Sequence, residues 1–130
     1  MRMWNVDPKL LCNQHLIGEH QEIHALVGIL LKGISVEGYL EKGLLEIHTL
    51  RQRHTDLVIE MRRRKMVHLS PLPIFQEREA GKIDPAVSIE ELMNRCTRCK
   101  ALILQAAQQR ETEKDWKEFE EANDPDQQVE

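Results

Sequence analysis

Residues 14–24, QHLIGEHQEIH, place three histidines and two glutamates within eleven positions. Imidazole and carboxylate groups at this density can bind a metal ion, exchange protons with a substrate, or form the hydrated face of a helix. His20 and His24 have the i, i+4 spacing of two ligands on one helical face. However, Glu22 stands in the order H-x-E-x-H, not in the H-E-x-x-H order of zinc metalloproteases, and the spacing supplies no third ligand. We therefore predict no metal at this pair.

The cysteines are Cys12, Cys96 and Cys99, an odd number that needs no disulfide framework and suits a reducing compartment. Cys96-x-x-Cys99 is half of a four-ligand zinc site, without a second half of the usual kind. We expect both thiols on or near the buried face of a helix, where cysteine is common. If the pair does bind a metal, His68 is the best additional ligand. We predict that the protein needs no metal or other cofactor.

His15, Glu19 and Glu22 are spaced i, i+4, i+7, so they fall on one stripe of a helix. A carboxylate on such a stripe can act as a general acid or base. The same pattern is also typical of a solvent-exposed helical face. Spacing alone therefore favours the surface interpretation, and a catalytic role needs further support.

Basic side chains cluster in the middle of the chain: Arg51, Arg53, Arg62, Arg63, Arg64 and Lys65. Guanidinium groups match phosphate oxygens, so this cluster is a candidate surface for gripping a nucleic-acid backbone. Cations near a helix C-terminus also complement the helix dipole without binding any ligand. The cluster alone supports both explanations equally.

These residues require helices to position them, and the composition favours helices. Apolar residues make up 41% and aromatic residues 4% of the 130, and runs of β-branched residues are scarce. We predict an all-α fold with a single compact domain over residues 1–122. Three main helices are expected, at about 8–32 after Asp7-Pro8, about 44–65, and from an S-x-x-E capping box at Ser88 to about 110 or 119. The connection 66–87 carries three prolines and is expected to be irregular.

Charge is distributed unevenly along the chain. The net charge is −4, but residues 111–130 hold nine acidic residues against two lysines, which leaves about +3 for residues 1–110. A mildly basic body permits nucleic-acid binding. We predict that residues 123–130 form a frayed acidic tail. No apolar run approaches the roughly eighteen residues that span a bilayer, and no signal peptide is evident, so we expect a cytoplasmic protein with no membrane partner.

Two blocks of the sequence resemble a known family. Gln14-His15-Leu16, followed by Glu19 and Glu22, is similar to the Q-H-L-x-x-E-x-x-E segment of the phage-type pyrimidine-dimer DNA glycosylases with abasic-site lyase activity, the endonuclease V ultraviolet-repair family. The spacing from Glu22 back to Met1 needs no gap, and Arg2 falls where the family has an arginine. The second block is Leu50-Arg51-x-Arg53-x-x-Asp56-Leu57-x-x-Glu60, which is similar to the second long helix of the family.

The resemblance implies that the α-amino group of Met1 is the nucleophile and that Glu22 is the essential carboxylate. An α-amino group in a model peptide has a pKa of about 7.7 to 8.0, so an appreciable fraction is the free amine at neutral pH. The amine would attack C1′ of a flipped nucleotide and form an imine, after which β-elimination cleaves the strand. The amino-terminal segment is expected to pack across the first helix, so that Met1 meets Glu22.

The resemblance also implies contacts with damaged or abasic double-stranded DNA. The expected DNA-binding residues are Arg2, Gln14, His15, Glu19, Gln21, Arg51, Arg53, Arg62, Arg63, Arg64 and Lys65. Gln21 and Ala25 replace two arginines with which the family grips the lesion, so a different damaged base, or an abasic site alone, is an alternative substrate. The protein is expected to be a monomer acting in the cytoplasm, that of a host cell if it is phage-encoded. The rival functions are a non-catalytic nucleic-acid-binding module and a metal-dependent hydrolase built on the histidines.

Overall fold

The computed structural model describes residues 1–68 and 70–122, and every regular element within them is a helix. The α-helices are α1 (Asn13–Leu31), α2 (Glu37–Glu41), α3 (Leu50–Arg63), α4 (Pro85–Arg95) and α5 (Thr97–Ala122). Two 3-10 turns, Pro8–Leu10 and Ile47–Thr49, precede α1 and α3. These elements confirm the predicted all-α single domain. The predicted acidic tail, 123–130, lies outside the described residues.

The first long helix begins later than predicted. The Asp7 carboxylate accepts a hydrogen bond from the Lys9 amide at 3.0 Å, but this cap starts only the 3-10 turn Pro8–Leu10. The backbone then becomes extended at Leu11, and α1 begins at residue 13 and runs without interruption past Gly18. Its end is as predicted, because Gly33 takes a positive φ of 70° and the Ile34 amide bonds back to the Ile29 carbonyl.

The third predicted helix is two helices. Asp84 caps α4 by accepting a hydrogen bond from the Ala86 amide at 2.9 Å, so the predicted Ser88 capping box is wrong. Ser88 instead lies buried inside α4. Cys96 has an extended backbone, with φ −135° and ψ 112°, and this residue separates α4 from α5. The apolar periodicity continues through the break, which is why the sequence predicted one continuous helix.

The amino-terminal segment packs across α1, as predicted. Met3, Trp4 and Val6 are buried in the core with α1 and α3. The Met3 amide donates to the Leu44 carbonyl at 2.8 Å, so the segment is also tied to the connection between α2 and α3. The start of the chain is therefore anchored in the packed structure through residues 3, 4 and 6.

The long connection between α3 and α4 is irregular, as predicted, and its second half is anchored to the rest of the fold. The Ile47 amide donates to the Ala80 carbonyl at 3.0 Å, and Glu46 accepts from the Ile83 amide at 2.6 Å. Gly81 has a φ of 87°, and a Cβ added there would lie 2.0 Å from the Leu45 carbonyl oxygen. Only glycine permits this close approach.

A buried ion pair joins α1, α3 and the amino-terminal segment. Arg53 on α3 donates to both carboxylate oxygens of Glu19 on α1, at 2.6 and 2.8 Å, and also to the Val6 carbonyl. The two residues are 5% and 1% exposed. Removing one member of a buried pair leaves an uncompensated charge in a poorly solvated interior, which is strongly destabilising.

We predict that Arg53→Met lowers the free energy of unfolding by about 3–5 kcal/mol, measured by urea denaturation. Arg51→Met on the same helix is the matched control, because Arg51 is exposed, and it should cost less than about 1 kcal/mol. The double variant Glu19→Leu/Arg53→Met should recover part of the loss, since no charge is left unpaired. Equal effects of Arg53→Met and Arg51→Met would show that the pair does not organise the fold.

Candidate active site

A pocket of about 360 Å³ opens beside the start of the chain. The residues that line it are Met1, Arg2, Trp4, Gln14, His15, Gly18, Glu19, Glu22 and Arg95. They come from the amino-terminal segment, one side of α1 and the end of α4. Met1, Glu22, Gln14 and His15, which the sequence singled out, therefore border one cavity.

Glu22 is held directly against the backbone at the start of the chain. The Arg2 amide donates to its Oε2 atom at 3.2 Å, and Glu22 is half-buried. The α1 periodicity puts His15, Gly18, Glu19 and Glu22 on the same side, under the amino-terminal segment. The Glu22 carboxylate thus contacts the backbone of the residue that follows Met1.

The Arg2 side chain points to α4. Its guanidinium pairs with Glu91, donates to the Ser88 hydroxyl at 3.1 Å and lies 3.8 Å from the Trp4 ring centroid. Burial lowers the pKa of Arg2 from its usual value, while Glu91 opposes that shift. Arg2 therefore anchors the amino terminus to α4, whereas the sequence predicted a contact to DNA. Its backbone amide provides the contact to Glu22.

Glu19 and Arg53 are placed differently from the DNA contacts expected from the sequence. Their side chains are buried and bind each other, so neither offers a charge to a duplex. The stripe of His15, Glu19 and Glu22 thus contains one structural residue. A helical stripe has the same spacing whether it faces solvent or another helix, which is why the sequence did not separate these cases.

The basic cluster is partly neutralised within the protein. Glu60 is buried and accepts hydrogen bonds from Arg63 and Arg64, and the Arg63 bond is the largest factor that lowers the pKa of Glu60. Arg64 also donates to Asn13 and to the Leu11 carbonyl, so it joins the end of α3 to the start of α1. Its role is structural, contrary to the expected DNA contact.

The remaining expected contacts lie on the surface. Arg62 and Lys65 are exposed, and neither has a carboxylate partner within residues 1–68 and 70–122. Arg51 is exposed and pairs with Glu77 at 3.3 Å. Gln21 is also exposed, but it borders a second pocket on the other side of α1.

Trp4, Glu91 and Arg95 contribute to the site and were not singled out from the sequence. Trp4 packs edge-on against His15, with ring centroids 5.9 Å apart, and Arg95 is an exposed cation at the rim of the pocket. Glu91 is the acidic residue of the predicted S-x-x-E capping box. Their roles depend on α4 packing against the amino terminus, and the sequence carries no local signal for that contact.

The cysteines and histidines form two compact clusters that the sequence did not predict. Cys12, His15, Cys96 and Cys99 form the cysteine cluster, and His20, His24, His54 and His68 form the histidine cluster. In each cluster the four potential ligand atoms lie within 4.8 Å of one another. His68, expected from the sequence as the extra ligand for Cys96 and Cys99, lies in the histidine cluster. The thiols are near the core as expected, with Cys99 buried and Cys96 half-buried.

Two members of the histidine cluster, His20 and His54, are uncharged at neutral pH. Burial is the largest factor that lowers the pKa of His20 and of His54 to about 4, and the neighbouring histidines lower both further. Both imidazoles are consequently neutral at pH 7. They offer no positive charge to a phosphate.

Comparison with known proteins gives one match. A family model described as pyrimidine dimer DNA glycosylase matches residues 1–73, which is more than half of the 130-residue chain. No curated protein and no solved structure matches the chain. Among the described residues, no helix is both long enough and apolar enough to cross a membrane. The matched range contains the amino-terminal segment, α1 and α3, and it excludes α4 and α5.

Proposed function

This chain belongs to the pyrimidine dimer DNA glycosylase family, and from that membership we propose that it excises damaged pyrimidines through the α-amino group of Met1 and then cleaves the strand as an abasic-site lyase. Glu22 is the carboxylate that assists both steps. The substrate is double-stranded DNA that carries a pyrimidine dimer or a related lesion.

The contact between the Arg2 amide and Glu22 Oε2, 3.2 Å long, carries this proposal. It holds a carboxylate beside the residue that bears the amino group, in a pocket that both Met1 and Glu22 line. An amine and a carboxylate in the same cavity supply a nucleophile and a proton acceptor, the two groups that imine chemistry at a sugar carbon requires. Arg2 supports the arrangement by anchoring the segment to Glu91 and Ser88.

In the glycosylase step, the Met1 nitrogen forms a bond to C1′ as the glycosidic bond to the base breaks. The electron pair of that bond leaves with the base, which takes up a proton. The Glu22 carboxylate stabilises the positive charge that develops on the sugar. Opening of the C1′–O4′ bond, with a proton delivered to O4′ and one lost from nitrogen, then gives a protonated imine.

In the lyase step, Glu22 accepts a proton from C2′, and the electrons of that C–H bond move toward the imine. The C3′–O bond breaks by β-elimination, and the 3′ phosphate leaves with its electron pair. Water then hydrolyses the imine, releasing the unsaturated aldehyde end and regenerating the amine. No metal ion is needed for either step.

DNA enters the pocket with the damaged nucleotide turned out of the duplex, since C1′ in an undistorted helix is inaccessible to an amine. Arg95 and Gln14 border the pocket, and in this proposal they contact the phosphates that flank the damaged nucleotide. Arg62 and Lys65 provide exposed charge for the backbone farther away. The protein acts as a monomer on one lesion at a time.

Borohydride reduction tests this function because it converts an imine into a stable amine. The untagged protein should become covalently trapped on duplexes that contain an abasic site or a pyrimidine dimer. We predict that Glu22→Gln lowers the rate of strand cleavage by at least about 100-fold, because the proton acceptor is lost, while DNA binding is retained.

Two matched proteins control this experiment. Glu41 is an exposed glutamate on α2 that does not line the pocket. The variant Glu41→Gln should therefore cleave and trap at the wild-type rate. A chain extended by two residues ahead of Met1 should bind DNA but give no trapped product. Wild-type protein that binds damaged duplexes but is never trapped would refute the imine mechanism and favour a non-catalytic binding module.

A further inference from the structure

The cysteine cluster is built from two pairs with the same spacing. Cys12-x-x-His15 and Cys96-x-x-Cys99 come from distant parts of the chain, and the fold brings all four ligand atoms within 4.8 Å of one another. Paired ligands separated by two intervening residues are typical of structural zinc sites. The second pair lies beyond the range of the family match, which ends at residue 73.

Both pairs are positioned by helix starts. Cys12 immediately precedes α1, with an extended backbone, and His15 lies in the first turn of α1. Cys96 is the extended residue between α4 and α5, and Cys99 lies in the first turn of α5. The junction of α4 and α5 thus lies against the start of α1, with both of its thiols beside Cys12 and His15.

The separation of the Cys12 and Cys96 sulfurs fits a tetrahedral metal site and is too long for a disulfide. The Cys12 and Cys96 sulfurs are 3.8 Å apart, and Cys12 Sγ lies 3.2 Å from His15 Nδ1. Sulfur ligands about 2.3 Å from a zinc ion are separated by roughly 3.7 Å at the tetrahedral angle. A disulfide needs about 2.05 Å, and one disulfide would leave the third thiol unpaired.

Backbone amides point at the sulfurs as well. The Cys12 amide donates to Cys99 Sγ at 3.3 Å, and the Cys99 amide donates to Cys96 Sγ at 3.4 Å. Hydrogen bonds of this kind support the negative charge of metal-bound thiolates and orient them. Two of the three sulfurs thus have the outer contacts of a metal site.

We propose that Cys12, His15, Cys96 and Cys99 bind one zinc ion as a closed, four-coordinate structural site. Three thiolates and one imidazole are the soft donor set that zinc prefers, and four protein ligands leave no position for substrate. The ion would fasten the start of α1 to the junction of α4 and α5. His15 also lines the pocket of Met1, so the ion would fix one wall of that pocket. This site revises the metal-free protein expected from the sequence.

Cobalt substitution tests the site directly. The full untagged chain, purified under reducing conditions, should contain zinc, and exchange for Co(II) should give the visible bands of tetrahedral cobalt with a thiolate-to-metal charge-transfer band. Cys96→Ser should lose the charge-transfer band and one ion per chain, and His15→Cys should keep the ion with a stronger band. Thr97→Ala, an exposed neighbour of Cys96, should match the wild type.

A wild-type protein that gives no thiolate-to-cobalt band would overturn the zinc site. Full zinc content in Cys96→Ser would also overturn it. A disulfide between Cys12 and Cys96 that persists in protein purified under reducing conditions would overturn it as well. The wild-type spectrum is informative even if Cys96→Ser fails to fold, because it needs no variant.

The histidine cluster supports a second inference, which does not depend on the cysteine cluster. His54 Nε2 lies 3.2 Å from His20 Nε2 and 3.2 Å from His24 Nε2. An imidazole nitrogen has either one hydrogen or one lone pair, so His54 Nε2 cannot form good hydrogen bonds with both neighbours. His68 Nε2 is buried and has no hydrogen-bond partner among the described residues. Hydrogen bonding within the cluster thus leaves these nitrogens unsatisfied.

A metal ion at the centre of the cluster would satisfy all four nitrogens. Nitrogen ligands about 2.0–2.1 Å from a metal lie roughly 3.3–3.4 Å apart at the tetrahedral angle, close to the 3.2 Å found here. We infer that His20, His24, His54 and His68 bind a divalent first-row transition ion through Nε2. Imidazole donors suit zinc, copper, iron and nickel. The ion would pin α1 to α3 and to the start of the irregular connection.

Zinc titration of protein labelled with ¹⁵N-histidine tests this site. In protein whose cysteine site is already loaded, added zinc should shift the Nε2 resonances of the four clustered histidines together. His48, which is exposed and outside both clusters, should not shift. His54→Gln and the less buried His24→Gln should each reduce bound zinc from two ions per chain to one and leave the cobalt–thiolate band intact, while His48→Gln should retain two.

One zinc ion per chain in the wild type, with the four Nε2 resonances unchanged, would contradict the histidine site. Equal losses in His48→Gln and His54→Gln would contradict it too, because they would indicate non-specific surface binding.

Discussion

The buried pair of Glu19 and Arg53 is the interaction on which the geometry of the pocket depends. It joins α1 to α3, and through the Val6 carbonyl it also holds the amino-terminal segment. Because Val6, Trp4 and Met3 are fixed in the core, the first two residues have little freedom in where they lie. The Arg2 amide can then donate to Glu22, and the pocket of Met1 lies beside this contact. The buried pair of Glu19 and Arg53 thus helps to position the half-buried carboxylate of Glu22.

Helix α1 separates two environments by its periodicity. His15, Gly18, Glu19 and Glu22 border the pocket of Met1, whereas Ile17, His20, Gln21 and His24 border the second pocket. At 100° per residue these two sets lie on roughly opposite sides of the helix. Glu22 lies close in sequence to His20 and His24, yet it borders a different pocket. The density of polar residues in 14–24 therefore reflects two pockets on opposite sides of one helix.

The helical fold and the Met1–Glu22 pocket could be predicted because both depend on local patterns and on a resemblance that extends to residue 1. The start of α1 could not, because Asp7-Pro8 forms the same cap for a 3-10 turn as for an α-helix. Neither could the buried state of Glu19, since its partner is 34 residues away and only packing brings them together. The cysteine cluster could not be predicted because Cys12-x-x-His15 supplies only two ligands. The other two, Cys96 and Cys99, are brought beside it only by the packing of the α4–α5 junction.

We propose that the amino group of residue 1 performs the chemistry. Proteolysis of the borohydride-reduced complex, followed by tandem mass spectrometry, identifies the nitrogen that carries the sugar. The proposed mechanism predicts that the modification lies on the α-nitrogen of Met1 in the amino-terminal peptide. A sugar attached to a lysine side chain, with the Met1 nitrogen unmodified in active protein, would contradict it.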